Sequence, residues 1–228
     1  MLAAFPLSRS SLKRKWFAAF LACLINLNGV GWAQILSALG SAAPTPGPND
    51  ISQLSTNGDT TFPDALNYYS DNGNPAGQTF STSSNTTGLV SLAIKTAGLN
   101  SGGGYGTPAT TPTFYLRLYS IVGSNATLIT TLAATNPGFV DGDWLSWSNL
   151  SVPLAPNSLY AYSFGIQPSS GGYCALAVGS GNPYPGGEIA LIPIASGTVT
   201  FGASHGYDAV FDLGLTTNVS PLLADIGS

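Results

Sequence analysis

The chain has 228 residues, of which 44% are hydrophobic and only 7% are charged, and its formal net charge is −4. Four of the six basic residues lie within the first fifteen positions, so residues 34–228 carry two bases against ten acids, a net charge of −8. This balance excludes nucleic acid and anionic membranes as partners, because both require a basic surface.

The first 33 residues have the three parts of a secretory signal peptide. Lys13 to Lys15 precede an apolar run at 16–27, and Gly31 and Ala33 are small residues at the positions that a signal peptidase inspects. The apolar run is shorter than the roughly 20 residues that a membrane-spanning helix needs. We therefore expect cleavage after Ala33 and a product that does not span a membrane and is secreted or held at the cell surface.

Residues 34–76 differ in composition from the rest of the chain. Proline recurs there among Ser, Asn, Asp and Gly, which predicts a loosely ordered N-terminal arm or linker with a short helical possibility at 34–39. Beyond it, short β-rich runs alternate with turn residues. The predicted organisation is a signal peptide at 1–33, the arm at 34–76, a β-domain at 77–216 and a C-terminal tail at 217–228.

Nine runs predict strands, at 78–83, 89–96, 113–121, 127–133, 144–152, 159–167, 173–179, 188–193 and 208–215. No helix-length periodic segment separates them. They indicate an all-β fold, an antiparallel β-sandwich of jelly-roll-like type with about nine strands. Residues 154–160 also match the tyrosine-corner pattern, in which the Tyr160 hydroxyl binds the upstream backbone; an ordinary loop before a Tyr-rich strand is the alternative.

Several segments are similar to a known group of domains. They are 77–82 (GQTFST), 92–95 (LAIK), 114–119 (FYLRLY), 142–147 (GDWLSW), 187–193 (GEIALIP) and 204–212 (SHGYDAVFD). Together they resemble the choice-of-anchor-type β-sandwich domains of bacterial surface proteins, over roughly residues 66–216. The resemblance implies a jelly-roll-like extracellular module, commonly one part of a longer surface protein, and it supplies no catalytic residues.

The titratable side chains argue against an enzyme. Glu188 is the only glutamate and His205 the only histidine. A glycosidase needs two facing carboxylates, and the partner of Glu188 would come from Asp141, Asp143, Asp208 or Asp212. The string at 202–206 matches Gly-x-Ser-x-Gly, yet a strand follows it where a working nucleophile elbow has a helix. We expect a non-catalytic protein.

Aromatic side chains are the candidate ligand-binding groups, since sugar sites combine aromatic platforms with a few polar groups. Trp144 and Trp147 are three residues apart, so in a strand they point to opposite faces; at most one should lie in the core and leave the other as a platform. Tyr115, Arg117 and Tyr119 form a strip on the wetter face of the third predicted strand. For all of them, packing in the core or at a sheet edge is the alternative.

Loop residues complete the candidate binding set. Tyr184 lies in a Pro/Gly-rich segment, and Tyr207 is close to His205. Loops on a rigid scaffold carry binding groups more often than cores do.

Calcium is the one metal that the sequence suggests. Asp141 and Asp143 flank Gly142, and a hard cation prefers such oxygen ligands. Asp208 and Asp212 would lie about 13 Å apart along a strand, too far to share an ion. We expect no cofactor, with a structural calcium ion at Asp141 and Asp143 as the alternative to ordinary solvated turn acids.

Three functions are compatible with these sequence features. The first is a secreted, non-catalytic module for extracellular structure or adhesion, which binds polysaccharide or other cell-surface proteins. Self-association stays open, with the arm as a tether or as a strand that pairs with a neighbour. The alternatives are a carbohydrate-binding module that uses exposed aromatics and a glycan-active enzyme that uses Glu188.

Overall fold

The computed structural model describes residues 34–55, 65–66, 75–96, 113–140, 142–166, 176–201 and 207–218, which form strands and turns without a helix. In chain order the strands are β1 (Ile35–Ala38), β2 (Ile51–Gln53), β3 (Ala65–Leu66), β4 (Ala76–Ser81), β5 (Thr86–Lys95), β6 (Thr113–Val122), β7 (Asn125–Thr135), β8 (Trp144–Ser148), β9 (Val152–Pro153), β10 (Leu159–Ile166), β11 (Leu176–Gly179), β12 (Ile189–Leu191), β13 (Gly197–Thr198), β14 (Thr200–Phe201), β15 (Asp208–Ala209) and β16 (Phe211–Thr217). Within these ranges no helix of membrane-spanning length and hydropathy occurs.

Two antiparallel sheets form a β-sandwich. The first has the order β1-β8-β5-β16-β2, with β9 paired to β5, and the second has the order β13-β7-β6-β10-β4-β12-β14. Eight principal strands are divided between the sheets in jelly-roll order, with β2-β16-β5-β8 opposite β4-β10-β6-β7. The predicted all-β, jelly-roll-like sandwich is confirmed, and each of the nine predicted runs contains or overlaps a strand.

The main core lies between the two sheets, because alternate residues of each strand point inward. Its largest members include Trp147 and Phe211 from the first sheet and Phe80, Phe114 and Tyr162 from the second. Tyr160 also lies in this core, and its hydroxyl accepts a 2.7 Å hydrogen bond from the backbone N–H of Ala155. The predicted tyrosine corner is therefore present.

The outer faces of both sheets are also largely covered. A three-stranded sheet, β15-β11-β3, borders the first sheet, where Ala93, Trp144, Ala177 and Val210 form a second apolar cluster. On the outer face of the second sheet, the chain between β12 and β14 packs over the middle of β6 and β10. The sequence predicts a wetter face for β6, and that prediction is wrong at Tyr119, because a later segment of the chain covers it.

The N-terminal segment is ordered where the structure describes it. β1 pairs with β8, and β2 pairs with β16, so both lie at the edges of the first sheet. Leu36 points into the main core while Ile35 is exposed, which is strand alternation, so the helical possibility at 34–39 is wrong. An edge strand needs few apolar side chains, and for this reason the composition resembles that of a loose arm.

Candidate functional site

The two tryptophans of the predicted platform are both buried. Trp147 has no exposed surface and packs edge-on against Phe164, with ring centres 5.2 Å apart. Trp144 is 1% exposed and lies in the second cluster, on the opposite side of the sheet. The two side chains do point to opposite faces, but neither is available as an exposed platform. Trp147 lies in the core between the sheets, and β11 and Val210 cover Trp144.

The strip on β6 is covered as well. Tyr119 is fully buried, and its hydroxyl donates a 2.8 Å hydrogen bond to the carbonyl oxygen of Pro193. Arg117 is 4% exposed, and its guanidinium carbon lies 5.2 Å from the ring centre of Tyr115, which is half-buried. This arrangement is a cation–π contact. Tyr119 and Arg117 thus stabilise the fold instead of lining a surface.

A buried carboxylate holds the loop that carries Tyr184. The Oδ2 atom of Asp208 accepts a 2.9 Å hydrogen bond from the backbone N–H of Tyr184, and its Oδ1 atom accepts one of 2.8 Å from Gln78 Nε2. The amide nitrogen of Asn182, oriented to satisfy its partners, donates to the same Oδ2 at 2.9 Å. Burial raises the pKa of Asp208, and the hydrogen bonds from Tyr184 and Gln78 partly oppose the rise.

Tyr184 itself is half-buried. Its ring stands edge-on to Phe211 with centres 5.4 Å apart, and its hydroxyl accepts a 3.4 Å hydrogen bond from the backbone N–H of Ser81. Burial raises the pKa of Tyr184, and a stronger effect of the same kind raises that of Tyr162, whose hydroxyl has no hydrogen-bond partner among the described residues. The sequence singles out Tyr184 but not the polar residues around it, because these come from distant segments of the chain: Gln78, Tyr162, Asn182 and Asp208.

The remaining loop candidates are only partly described. Tyr207 is half-buried against the main core, and its carbonyl oxygen accepts a 3.4 Å hydrogen bond from the backbone N–H of Ile189. His205 and Asp141 lie outside the described residues.

Asp143 has a local structural role. Its Oδ2 atom accepts a 2.9 Å hydrogen bond from the backbone N–H of Val140, and its carbonyl oxygen accepts two bonds from Thr96. Asp143 thereby closes the turn before β8. Within the described ranges, no group of three or more His, Cys, Asp or Glu residues could hold a metal ion.

Glu188 and Asp208 lie near neighbouring residues of β4. The backbone of Glu188 bonds to Thr79, while the side chain of Asp208 bonds to Gln78. Successive residues of a strand point to opposite faces. Glu188 is exposed and Asp208 is fully buried, so the two carboxylates do not face each other across an open site.

An open polar groove of about 410 Å³ lies where β2, β4 and β16 meet. Its lining includes Asn49, Asp50, Ser81, Ser83 and Asn85. Asp50 accepts hydrogen bonds from the backbone N–H groups of Gly47 and Leu215. The groove has the size of a small-ligand site and offers amide and hydroxyl groups.

Strand β7 forms a long sheet edge. It pairs with β6 over its whole length, whereas among the described strands only β13 pairs with its other side, at Asn125 and Ala126. Residues 127–135 contain no charged residue, proline or glycine. Their strand character is predictable from sequence, but their position at an edge is not, because it depends on the pairing of the whole sheet.

The hydrogen bonds at β7 show which of its backbone groups face outward. The backbone N–H of Leu128 donates to Ser196 Oγ, so the backbone groups of Leu128 point away from β6. Tyr119, the residue opposite Leu128 on β6, therefore does not form a backbone hydrogen bond with it. Beyond a bulge at Ile129, alternation directs the backbone groups of Thr131, Ala133 and Thr135 outward. The 3.3 Å bond from Gln34 Nε2 to the carbonyl oxygen of Ala133 agrees with this assignment.

Comparisons of the chain with protein-family models, with curated proteins and with solved structures gave no match.

Proposed function

We propose that this protein is a secreted, non-catalytic β-sandwich module for extracellular structure or adhesion, and that it holds a partner by adding a strand to β7. The observation that carries the proposal is the outer edge of this strand, with which no other strand in the described part of the chain pairs beyond Ala126. Backbone donors and acceptors of an edge strand form hydrogen bonds with any extended chain laid beside them, which is the basis of recognition by strand addition.

The environment of the edge supports this role. Soluble sandwiches usually protect a long edge with charges, prolines or a covering loop. Among the described segments, the bulge at Ile129 and the short strand β13 protect the first part of β7, and the second part is contacted by the Gln34 side chain at Ala133. Residues 131–135 have no charge or proline. On the inner face, Leu132 and Ala134 are only half-buried, and a strand added beside them would cover them further.

The sequence supports the extracellular setting. The tripartite leader at 1–33 directs export, and the resemblance to choice-of-anchor-type domains implies a surface module. The residues beyond the leader include one His, one Glu and two bases, which is a poor supply of groups for catalysis.

The proposal is tested in the producing bacterium by cell fractionation and by measuring how much protein remains on washed cells. Thr131→Pro removes an outward N–H, and proline is tolerated at such an edge position. Thr131→Glu adds a charge at the same site, and Val122→Glu is the control, because Val122 is 78% exposed outside the proposed edge. Thermal unfolding of each variant verifies that it is folded.

We expect export with Gln34 as the new N-terminus, and a loss of cell retention in both Thr131 variants but not in Val122→Glu. Protein that stays in the cytoplasm with its leader, or retention that the Thr131 variants leave unchanged, contradicts the proposal.

A carbohydrate-binding role is the second candidate, and the polar groove favours it. Asn49 and Asn85 are exposed on its lining and offer both donors and acceptors to sugar hydroxyls. A glycan array with Asn49→Ala and Asn85→Ala tests it, with Asn125→Ala as the exposed control outside the groove. Binding that Asn125→Ala retains and the other two lose supports this candidate, and no binding to any glycan removes it.

A further inference from the structure

We infer that the partner at β7 is a second copy of this chain, paired antiparallel about a two-fold axis at Ala133. This inference rests on the proposed function and specifies its partner. An isologous interface uses the same surface on both subunits, so the edge must be complementary to itself. The backbone, the side chains and the charge of β7 each meet this condition.

The backbone fixes the position of the axis. The outward-facing residues after the bulge are Thr131, Ala133 and Thr135, and an antiparallel partner bonds only through such residues. An axis at Ala133 pairs Thr131 with Thr135 of the other copy, and Ala133 with Ala133 of the other copy. The backbone N–H and C=O groups of each of these residues then point toward the opposite strand. An axis at Thr131 would instead pair Ala133 with the bulged Ile129 and lose this match.

The side chains also match in this register. On the outer face, Thr131 lies opposite Thr135 of the second copy, and cross-strand Thr pairs are favourable. On the inner face, Leu132 lies opposite Ala134 of the second copy. Both are half-buried against the main core, and each covers the exposed flank of the other. Ala133 at the axis is small and exposed, so the two strands can approach closely once pairing replaces the 3.3 Å bond that its carbonyl oxygen accepts from Gln34 Nε2.

Charge identifies this edge as a place where two copies can meet. Residues 34–228 carry a net charge of −8, so copies repel each other over most approaches. Residues 127–135 contribute no charge to that repulsion. Added salt should therefore strengthen pairing between copies, whereas it would weaken pairing with a basic partner.

The closing experiment is disulfide trapping of the purified protein with Cys23 and Cys174 replaced by Ser. In Ala133→Cys the introduced thiols face each other, because hydrogen-bonded antiparallel partners have Cα atoms about 5.5 Å apart, within disulfide range. Thr127→Cys is the control at another exposed position of the same strand, before the bulge and on the other face of the sheet. Its two copies would lie about 40 Å apart in this register at about 3.3 Å per residue.

We expect at least about tenfold more disulfide dimer for Ala133→Cys than for Thr127→Cys, because pairing raises the effective thiol concentration. The yield should rise when salt increases from about 0.01 M to about 0.15 M. Thr131→Pro in the Ala133→Cys protein should abolish the dimer. Equal yields in the two cysteine variants, or a yield that falls with salt, contradict the inference.

The outcome separates this inference from the proposed function. Cell retention that depends on Thr131, without trapping at Ala133, leaves strand addition in place and shows that the partner is a different chain. Trapping at Ala133 with retention unchanged by Thr131→Pro confirms the pairing of copies and contradicts the adhesive role.

Discussion

Replacing Asp212 with Asn should stabilise the protein at neutral pH and make its stability less dependent on pH. Asp212 is 7% exposed, and its Oδ1 atom has no hydrogen-bond partner among the described residues. Burial first and the nearby Asp50 carboxylate second raise the pKa of Asp212 from 3.8 to about 6. On the sheet its neighbours are Ala93 and Ser52, neither of which offers a compensating charge.

The size of the effect follows from this shift. Raising the pKa of Asp212 by about 2 corresponds to a free energy of about 3 kcal/mol. Asp50 is only half-buried, so water screens the pair, and about 1–2 kcal/mol is the expected contribution. Since the pKa is raised in the folded state, that state binds more protons than the unfolded chain between about pH 4 and pH 6. The stability that Asp212 contributes is therefore greatest below this window and is lost as the pH rises through it.

Urea unfolding at pH 4 and pH 7.5 measures the free energy of unfolding of both proteins. We expect Asp212→Asn to exceed the wild type by about 1–2 kcal/mol at pH 7.5 and to match it within about 0.5 kcal/mol at pH 4. A difference that is the same at both pH values, or an Asn variant that is less stable at pH 7.5, refutes the reasoning.

Three further substitutions test the packing. Tyr160→Phe leaves the N–H of Ala155 without its bond and should cost about 1–2 kcal/mol in equilibrium unfolding; an unchanged stability would show that the tyrosine corner contributes nothing. Gly77→Ala places a methyl group against the carbonyl oxygen of Tyr162 and should cost about 3 kcal/mol, and a thermal melt like that of the wild type would contradict this. Trp147→Ala should cost about 3–5 kcal/mol by denaturant titration; unchanged stability together with altered glycan binding would instead make Trp147 a ligand platform.

Local sequence patterns predict most of the strands, because alternation and turn residues act over a few positions. The core face of β6 and the tyrosine corner are predictable in this way, because the positions of Phe114 and Tyr160 follow from the pattern of the residues next to them. The local pattern does not predict that other segments cover the outer faces of the two sheets. Tyr119 and Trp144 are buried by segments about 70 and 30 residues further along the chain, a consequence of non-local contacts that build sandwich folds.

The candidate site shows the same limit. Tyr184 is recognisable as a loop aromatic, but the buried carboxylate that holds its loop, Asp208, lies 24 residues later and joins Gln78 from β4. The edge of β7 is likewise a property of the sheet order and not of residues 125–135 alone.

The role proposed for β7 is tested by the fraction of the protein that stays on washed producing cells. We predict that Thr131→Pro releases the protein into the medium while Val122→Glu stays attached like the wild type, with both variants folded. Equal retention of wild type and Thr131→Pro would contradict a role for β7 in holding a partner.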